Sequence, residues 1–250
     1  MIPPASQMDL LFDGRLRLHQ SAEGHRVGTD AILLAAAAPP LASGLLVDVG
    51  AGVGAVGLAL AQLNPGVNVA LLEKNPQMAA LARENIAAND LAQRVRAVEA
   101  DLFDVAARKD AGLVEAADLV VTNPPFLNPG DSRPSPNAAR AMAHVLDAGG
   151  IEAWLRASLA TLKPGGDFVL IFRADALADL LAACAGRLGA LEALPIFPRE
   201  GQKATRLILR GRKGSRAPLS LYQGLVLHRG DGSFTERAEA IHRRGAPLFG

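Results

Sequence analysis

The tetrapeptide Asn123-Pro124-Pro125-Phe126, which leaves the apolar run ADLVVT, holds the residue types best suited to chemistry in this chain. Two consecutive prolines remove two amide donors and stiffen the backbone, so the Asn123 side-chain oxygen and the Pro124 carbonyl can face outward as acceptors. A conjugated amino group is a weak nucleophile because its lone pair is delocalised. Two fixed acceptors on its hydrogens favour the pyramidal geometry that releases that pair. Phe126 can stack on the planar group and hold it in line with an electrophilic carbon, such as the methyl of a sulfonium. That is positioning and preorganised polarity rather than acid–base catalysis. The bland alternative is that Pro124 and Pro125 merely end a strand.

Upstream, VDVGAGVGAVGLAL joins an apolar strand to an Ala/Leu helix. Glycines there allow a sharp turn and close approach of a ligand to the helix N-terminus. Gly50, Gly52 and Gly54 form a G-x-G-x-G loop, but Gly52, Gly54 and Gly57 also satisfy the dinucleotide fingerprint G-x-G-x-x-G. Glu73, about 20 residues on, suits the two hydroxyls of a ribose. A nicotinamide dinucleotide and a sulfonium nucleoside present the same diol, so both readings stand here. Asp101 ends the next strand region; it can accept from an adenine amino group while the Leu102 amide donates to a ring nitrogen.

These segments need a frame that brings strand ends together. From Leu45, short Leu/Val-rich runs alternate with helical patterns, which predicts a mostly parallel sheet covered by helices on both faces. Asn75 followed by Pro76 predicts an N-cap and first turn for a helix running to about Asn89. Near the carboxyl end, LEALPIFP and ATRLILRGR are separated only by REGQK, too short for a crossover, so they form an antiparallel hairpin. LVLHRGDGSFTERAEAIHRR then reads as an edge strand, a turn at Asp231 and Gly232, and a helix capped by Thr235. LLFDGRLRLHQ predicts a hairpin turning at Asp13 and Gly14. The chain divides into an amino-terminal hairpin and helix, 1–44, and a core, 45–250, with a seven-stranded α/β sheet and a basic carboxyl-terminal hairpin and tail.

At 250 residues and 50% hydrophobic, the chain is not a disordered one. The single cysteine, Cys184, lies in an apolar helical pattern and excludes a disulfide framework or a cysteine-only zinc site. No metal site is expected. The apolar run AILLAAAAPPLASGLLV is cut by Pro39 and Pro40, which argues against a membrane span, and the amino terminus has no basic-then-apolar signal pattern. A cytoplasmic location is expected. The net charge of +1 hides an asymmetry: residues 190–250 carry 11 Lys/Arg against 5 Asp/Glu, the rest 15 against 20. The run RLILRGRKGSR concentrates cations near one expected strand end, suited to phosphates.

NPPF after a strand, downstream of DVGAGVG, LLEKN and EAD, resembles the class I S-adenosylmethionine-dependent amino-methyltransferases, with a Rossmann-like core of the methyltransferase small domain type. With the flanking RVGTDAILLAA, AARAMAH, KATRLILRGRKG and LVLHRGDGSFTERA, the order of motifs is similar to the bacterial tRNA methyltransferases that modify the 6-amino group of the adenosine beside the anticodon of a valine tRNA. The resemblance implies a methyltransferase with S-adenosylmethionine as cofactor and tRNA as partner. It places Gly50, Gly52 and Gly54, with Asp48 nearby, at the cofactor's methionine end, Glu73 at its ribose, Asp101 and Leu102 at its adenine, and Gly28, Thr29 and Asp30 in the segment closing over it, with Lys74 as a further cofactor-binding residue. Asn123, Pro124, Pro125 and Phe126 would hold the target base. Lys203, Arg206, Arg210, Arg212 and Lys213, with Arg140 and His144, are the expected RNA contacts. LNPGDSRPSPNAAR departs from the pattern and leaves the lip of the site open. The alternatives are a glutamine-amide methyltransferase acting on a release factor, a ribosomal-RNA guanine amino-methyltransferase and, more distantly, a nicotinamide-dependent oxidoreductase.

Overall fold

The computed structural model describes residues 6–21, 28–126 and 149–249. An amino-terminal hairpin, β1 (Ser6–Leu11) and β2 (Leu16–Ser21), turns through Phe12, Asp13 and Gly14, all with positive φ. The helix α1 (Thr29–Ala37) leads into the core. There β3 (Gly44–Val49), α2 (Ala55–Leu63), β4 (Val67–Glu73), α3 (Pro76–Ala88), β5 (Val95–Glu99), α4 (Val105–Asp110) and β6 (Ala117–Thr122) alternate as the sequence predicts. After residue 148 come α5 (Gly150–Leu159), β7 (Leu162–Arg173), α6 (Leu177–Cys184), β8 (Leu188–Arg199) and β9 (Arg206–Lys213). Two short strands, β10 (Ser220–Leu221) and β11 (Leu225–His228), precede α7 (Glu236–Arg244).

The sheet runs β5-β4-β3-β6-β7-β9-β8, with β10 and β11 both pairing in parallel on the outer side of β8. The seven expected strands are thus β3 to β9, and the two short strands lengthen the edge. Only β9 is antiparallel to its neighbours, because the short connection between β8 and β9 cannot cross over. Successive strands leave β3 in opposite directions, β4 on one side and β6 on the other. That reversal is a topological switch point, the crevice where open α/β sheets take ligands.

Alternate residues of each strand enter opposite cores. Leu46, Val121, Val169 and Ile208 pack with Leu33, Leu34 and Leu58 of α1 and α2. Val47, Val120, Phe168 and Leu209 pack with Trp154 and Leu155 of α5 and with Leu180 and Cys184 of α6. Burial pushes the Cys184 thiol up to about 11, so it stays a protonated apolar filler. Helix starts follow local chemistry. The Asn75 side chain accepts from the amides of Gln77 and Met78, Asp104 from Ala107 and Thr235 from Ala238.

Two asparagines fasten the hairpin to the core in a way that local pattern does not reveal. Asn85 accepts from the His19 amide and donates to the His19 carbonyl, while Asn89 makes the same pair of bonds with Arg17. The side chains thereby complete the open edge of β2. Asn85 is fully buried and also donates to the Val53 carbonyl, 2.9 Å away in the glycine loop. At the other terminus, Leu248 and Phe249 are buried, and the Leu248 amide donates to Ala36 of α1.

Candidate active site

Register places the chemistry at one rim. Val49 lies level with Leu72 on β4 and Thr122 on β6, and Glu73 lies level with Glu99 on β5. Gly50, Glu73, Asp101 and Asn123 therefore all emerge just beyond the carboxyl ends of neighbouring strands, around the switch point.

The glycine loop is built from residues that must be glycine for different reasons. Gly50, Gly52 and Gly54 have φ of 71°, 56° and 89°, the left-handed region that favours glycine. A Cβ on Gly50 would come within 3.0 Å of Trp154, and one on Gly54 within 2.8 Å of Leu71, whereas one on Gly52 would meet nothing within 4 Å. Gly52 thus faces open space. Gly57 has a packing role instead, since a Cβ there would lie 2.3 Å from Leu71 and 3.1 Å from Val69 on β4. The third glycine of the fingerprint lets α2 lie close on the sheet, which a dinucleotide or a nucleoside site would need equally.

Glu73 is clamped by backbone amides: Gly52 donates to one carboxylate oxygen and Asn75 to the other, each at 2.8 Å. A carboxylate oxygen has a second acceptor position, so both oxygens can be fixed by the fold and still meet a diol. Asp101 accepts from the Phe103 amide at 2.9 Å, which shapes the turn after β5, and Leu102 is buried in the core. Lys74 is exposed beside Glu73. Asp48 lies beneath the loop, only 2% exposed, accepting from the Gly57 amide at 2.9 Å. Burial lifts its carboxyl to about 7; the Gly57 bond opposes the rise and the charge of Glu73 adds to it.

On β6, Thr122 and Asn123 divide fold and site between adjacent residues. The Thr122 hydroxyl donates to the Val49 carbonyl at 2.8 Å and accepts from the Trp154 indole at 3.0 Å, locking β3, β6 and α5 together at the rim. Trp154 also meets Phe103 edge-on. Asn123 Oδ1 is buried and has no hydrogen-bond donor among the described residues. Pro124 is buried, and Pro125 and Phe126 are half-buried. The Phe126 ring meets Phe172 of β7 in a T-shaped contact at 5.4 Å and carries the Arg206 guanidinium 4.6 Å from its centroid.

Gly28 caps α1, and Thr29 and Asp30 form its first turn; Asp30 accepts from Arg206 Nε at 2.9 Å. The other cations of β9 do not gather at the rim. Arg210 pairs with Glu192 and lies over the Phe249 ring, Arg212 pairs with Asp167, and Lys213 pairs with Glu115 and donates to two carbonyls. Antiparallel strands rise about 3.4 Å per residue, so Arg212 stands roughly 20 Å from Arg206. Arg210 and Arg212 line a cavity of about 330 Å³ with Pro39, Asp167 and Glu192, toward the amino-terminal edge of the parallel strands. The expectation of one basic cluster at one strand end is corrected accordingly: the run is distributed along β9. Lys203 is exposed in the β8–β9 turn at the rim. Arg199 ends β8 level with His228 of β11, so Arg199 and Arg229 also reach the rim, two cations that the sequence reading missed. Arg140 and His144 lie outside the described residues. Trp154 and Thr122 were missed too; a lone Thr closing an otherwise apolar strand was the signal that could have found them.

Among the described residues, no three His, Cys, Asp or Glu side chains are grouped to hold a metal ion, and no helix is long and apolar enough to cross a membrane.

The family model for the methyltransferase small domain matches residues 21–181. A tRNA1(Val) (adenine(37)-N6)-methyltransferase of Aeromonas hydrophila is 32% identical over 217 residues, 85% of this chain and 86% of the relative. One of the same name from Porphyromonas gingivalis is 32% identical over 176 residues, 69% of this chain and 68% of the relative. The crystal structure of protein Atu636 of Agrobacterium tumefaciens, described there as a predicted O-methyltransferase, superposes with a TM-score of 0.71 at 33% identity, covering 88% of this chain and 98% of that one. The nicotinamide reading of the glycine loop is thereby set aside. With its glycine loop, clamped acidic residue and Asn-Pro-Pro-Phe turn around one switch point, the chain is a methyltransferase and belongs to the methyltransferase small domain family.

Proposed function

We propose that this enzyme transfers a methyl group from S-adenosylmethionine to the exocyclic 6-amino group of an adenosine in tRNA, at the position beside the anticodon of a valine tRNA. The names carried by the relatives from Aeromonas hydrophila and Porphyromonas gingivalis support the acceptor. The observation that carries the chemistry is the buried Asn123 oxygen, which has no donor among the described residues and sits at the switch point, three residues before Phe126. An acceptor in that state suits a ligand that brings N–H donors.

The residues present fit the cofactor. Gly52 leaves open space in the loop, Glu73 is fixed by two amides with acceptor capacity remaining for a diol, and Asp101 and Leu102 follow at the next strand end. Gly50 and Gly54 shape the loop, with Asp48 beneath it. Lys74, exposed next to Glu73, would be a further cofactor contact, and Gly28, Thr29 and Asp30 would close over the methionine side. When bound, S-adenosylmethionine supplies a sulfonium-activated methyl carbon.

Asn123 and the Pro124 carbonyl would accept the two hydrogens of the adenine amino group. As the nitrogen bonds to the methyl carbon, the bond from that carbon to sulfur would break with its electron pair left on sulfur as a neutral thioether. The positive charge developing on nitrogen would be stabilised by these preorganised oxygens more than the neutral amine is, and one N–H proton would then pass to solvent. Pro125 keeps the turn rigid, and Phe126 fixes the base plane so that the nitrogen lone pair points at the methyl carbon. An adenosine in a loop is already partly unstacked, which lowers the cost of presenting it. The exposed rim cations Lys203, Arg199 and Arg229 would meet the RNA backbone, with Arg140 and His144 as further candidates. Arg210, Arg212 and Lys213, held in internal ion pairs, would extend this surface only for an RNA that reaches down β9.

The test is incubation with methyl-labelled cofactor and, in parallel, total RNA and a protein extract, followed by nucleoside and amino-acid analysis. Label in N6-methyladenosine of tRNA is expected. Label on glutamine of a protein, or on guanine, would overturn the reading.

A further inference from the structure

We propose that Arg206 is a positioning residue for methyl transfer, tying the plate on which the target base stacks to the segment that opens α1. This rests on the function proposed above. Three contacts with described residues bear on its role. Its Nε donates to Asp30 Oδ2 at 2.9 Å, its Nη1 donates to the Thr205 carbonyl at 3.2 Å, and its Cζ lies 4.6 Å from the centroid of Phe126. The Arg206 side chain is 17% exposed and that of Asp30 24%.

A cation that grips RNA through its phosphates is a flexible, solvated side chain. Arg206 is instead held on one side by a carboxylate and laid on an aromatic face. The guanidinium is planar and delocalised, so it can donate at its edge to Asp30 while laying its flat face on Phe126; an ammonium has no flat face to stack and would not hold the ring at the same tilt. Its neighbour across the sheet gives a contrast. Arg173 lies directly opposite Arg206 on β7, yet its Nε and Nη2 donate to Asp175, at 2.8 and 2.7 Å, so the two like charges have separate partners. Asp30 is thereby left to Arg206.

The geometry has a consequence for catalysis. Phe172 meets Phe126 in the T-shaped contact and Arg206 covers one of its faces, and the two contacts together fix the tilt of the ring on which a base would stack. Asp30 belongs to the turn that opens α1, the segment assigned to the cofactor's methionine side. Arg206 therefore joins the two halves of the reaction across β9, and small errors in ring tilt would misalign the amine and the methyl carbon.

The experiment compares Arg206→Gln and Arg206→Lys with the wild-type chain on whichever acceptor the wild type methylates, and also measures tRNA binding as a function of salt. The single-turnover rate at saturating cofactor and acceptor is expected to fall at least tenfold in both variants, with KM for the acceptor within about threefold and an unchanged salt slope of tRNA binding. A weakened, flatter salt dependence with a normal single-turnover rate would overturn the proposal in favour of a phosphate-gripping cation. Wild-type rates in both variants would overturn it outright. If Arg206→Gln fails to fold, Arg206→Lys, which keeps the charge beside Asp30, decides the question alone. Absence of RNA methylation by the wild type would refute the proposed function, whereas the ratio of variant to wild type tests only Arg206.

Discussion

Replacing Asp48 with Asn isolates what it costs to bury a carboxyl beneath the glycine loop. Burial raises the Asp48 carboxyl from 3.8 to about 7, against the pull of the Gly57 amide and with a further push from the charge of Glu73. Because the folded-state value lies above the unfolded one, the stabilising contribution is complete below about pH 4 and is lost progressively as the pH rises to about 7. Each unit corresponds to about 1.4 kcal/mol, so the full loss is about 4 kcal/mol. Asp48→Asn keeps an oxygen for the Gly57 amide and cannot titrate, so this component of the slope disappears. Relative to wild type, the variant should gain about 3 kcal/mol between about pH 5 and about pH 8. Urea unfolding reads this directly. Trp154, the sole tryptophan, is buried at the rim and reports the transition by fluorescence. A stability difference between the two proteins that is the same at both pH values would refute the reasoning, since Asp48 would then be ionised in the fold throughout.

Gly57→Ala should lower stability by about 1–3 kcal/mol through overpacking, because the added methyl would sit 2.3 Å from Leu71 and 3.1 Å from Val69; an unchanged urea midpoint would show that α2 can shift off β4 without penalty. Asn123→Ala is expected to abolish methyl transfer while leaving cofactor affinity, measured by equilibrium dialysis, within about twofold and stability within about 1 kcal/mol, since its oxygen has no donor to lose. Parallel loss of cofactor binding and of folding stability would instead make Asn123 a structural residue. Reversing Lys203 and Arg199 to Glu should weaken tRNA binding and reduce its salt slope by about one for each phosphate no longer neutralised. Arg212→Ala, far down β9 and paired with Asp167, should leave that slope unchanged; a drop equal to that of the rim variants would extend the RNA footprint across the whole strand.

What could be read from the chain alone was whatever is encoded within one turn or one strand end. Asn75 and Thr235 act on amides two or three residues away, so capping is written locally. The β8–β9 hairpin followed from a connection too short to cross over, and the rim positions of Glu73, Asp101 and Asn123 from where apolar runs stop. Partner choice across the chain left no such trace. Asn85 meets His19 from 66 positions away, Trp154 meets Thr122 from 32 and Arg206 meets Asp30 from 176. The basic run misled in one respect for a geometric reason. Arg206, Arg210 and Arg212 are at even spacing, so they share a face of β9, but the strand's rise spreads them over its length and each meets a carboxylate from a different element. Proximity in sequence made them look like one patch; extended backbone separates them.

The contrast between Thr122 and Asn123 supports the chemistry proposed for the turn. Both are polar residues at the end of an apolar strand, and either could have been placed there to tie strands together. Thr122 does so completely, with a donor bond to Val49 and an acceptor bond from Trp154. One residue later, a buried amide oxygen has no donor among the described residues. Leaving such an acceptor unmatched costs about 1–3 kcal/mol, a large share of the 5–15 kcal/mol, roughly, by which a domain is stable. An apolar side chain of similar size would avoid that cost, and the strand junction would still be held by Thr122 and Trp154. Stability therefore explains Thr122 and fails to explain Asn123. On the function proposed above, a ligand that arrives with its own N–H donors would account for Asn123.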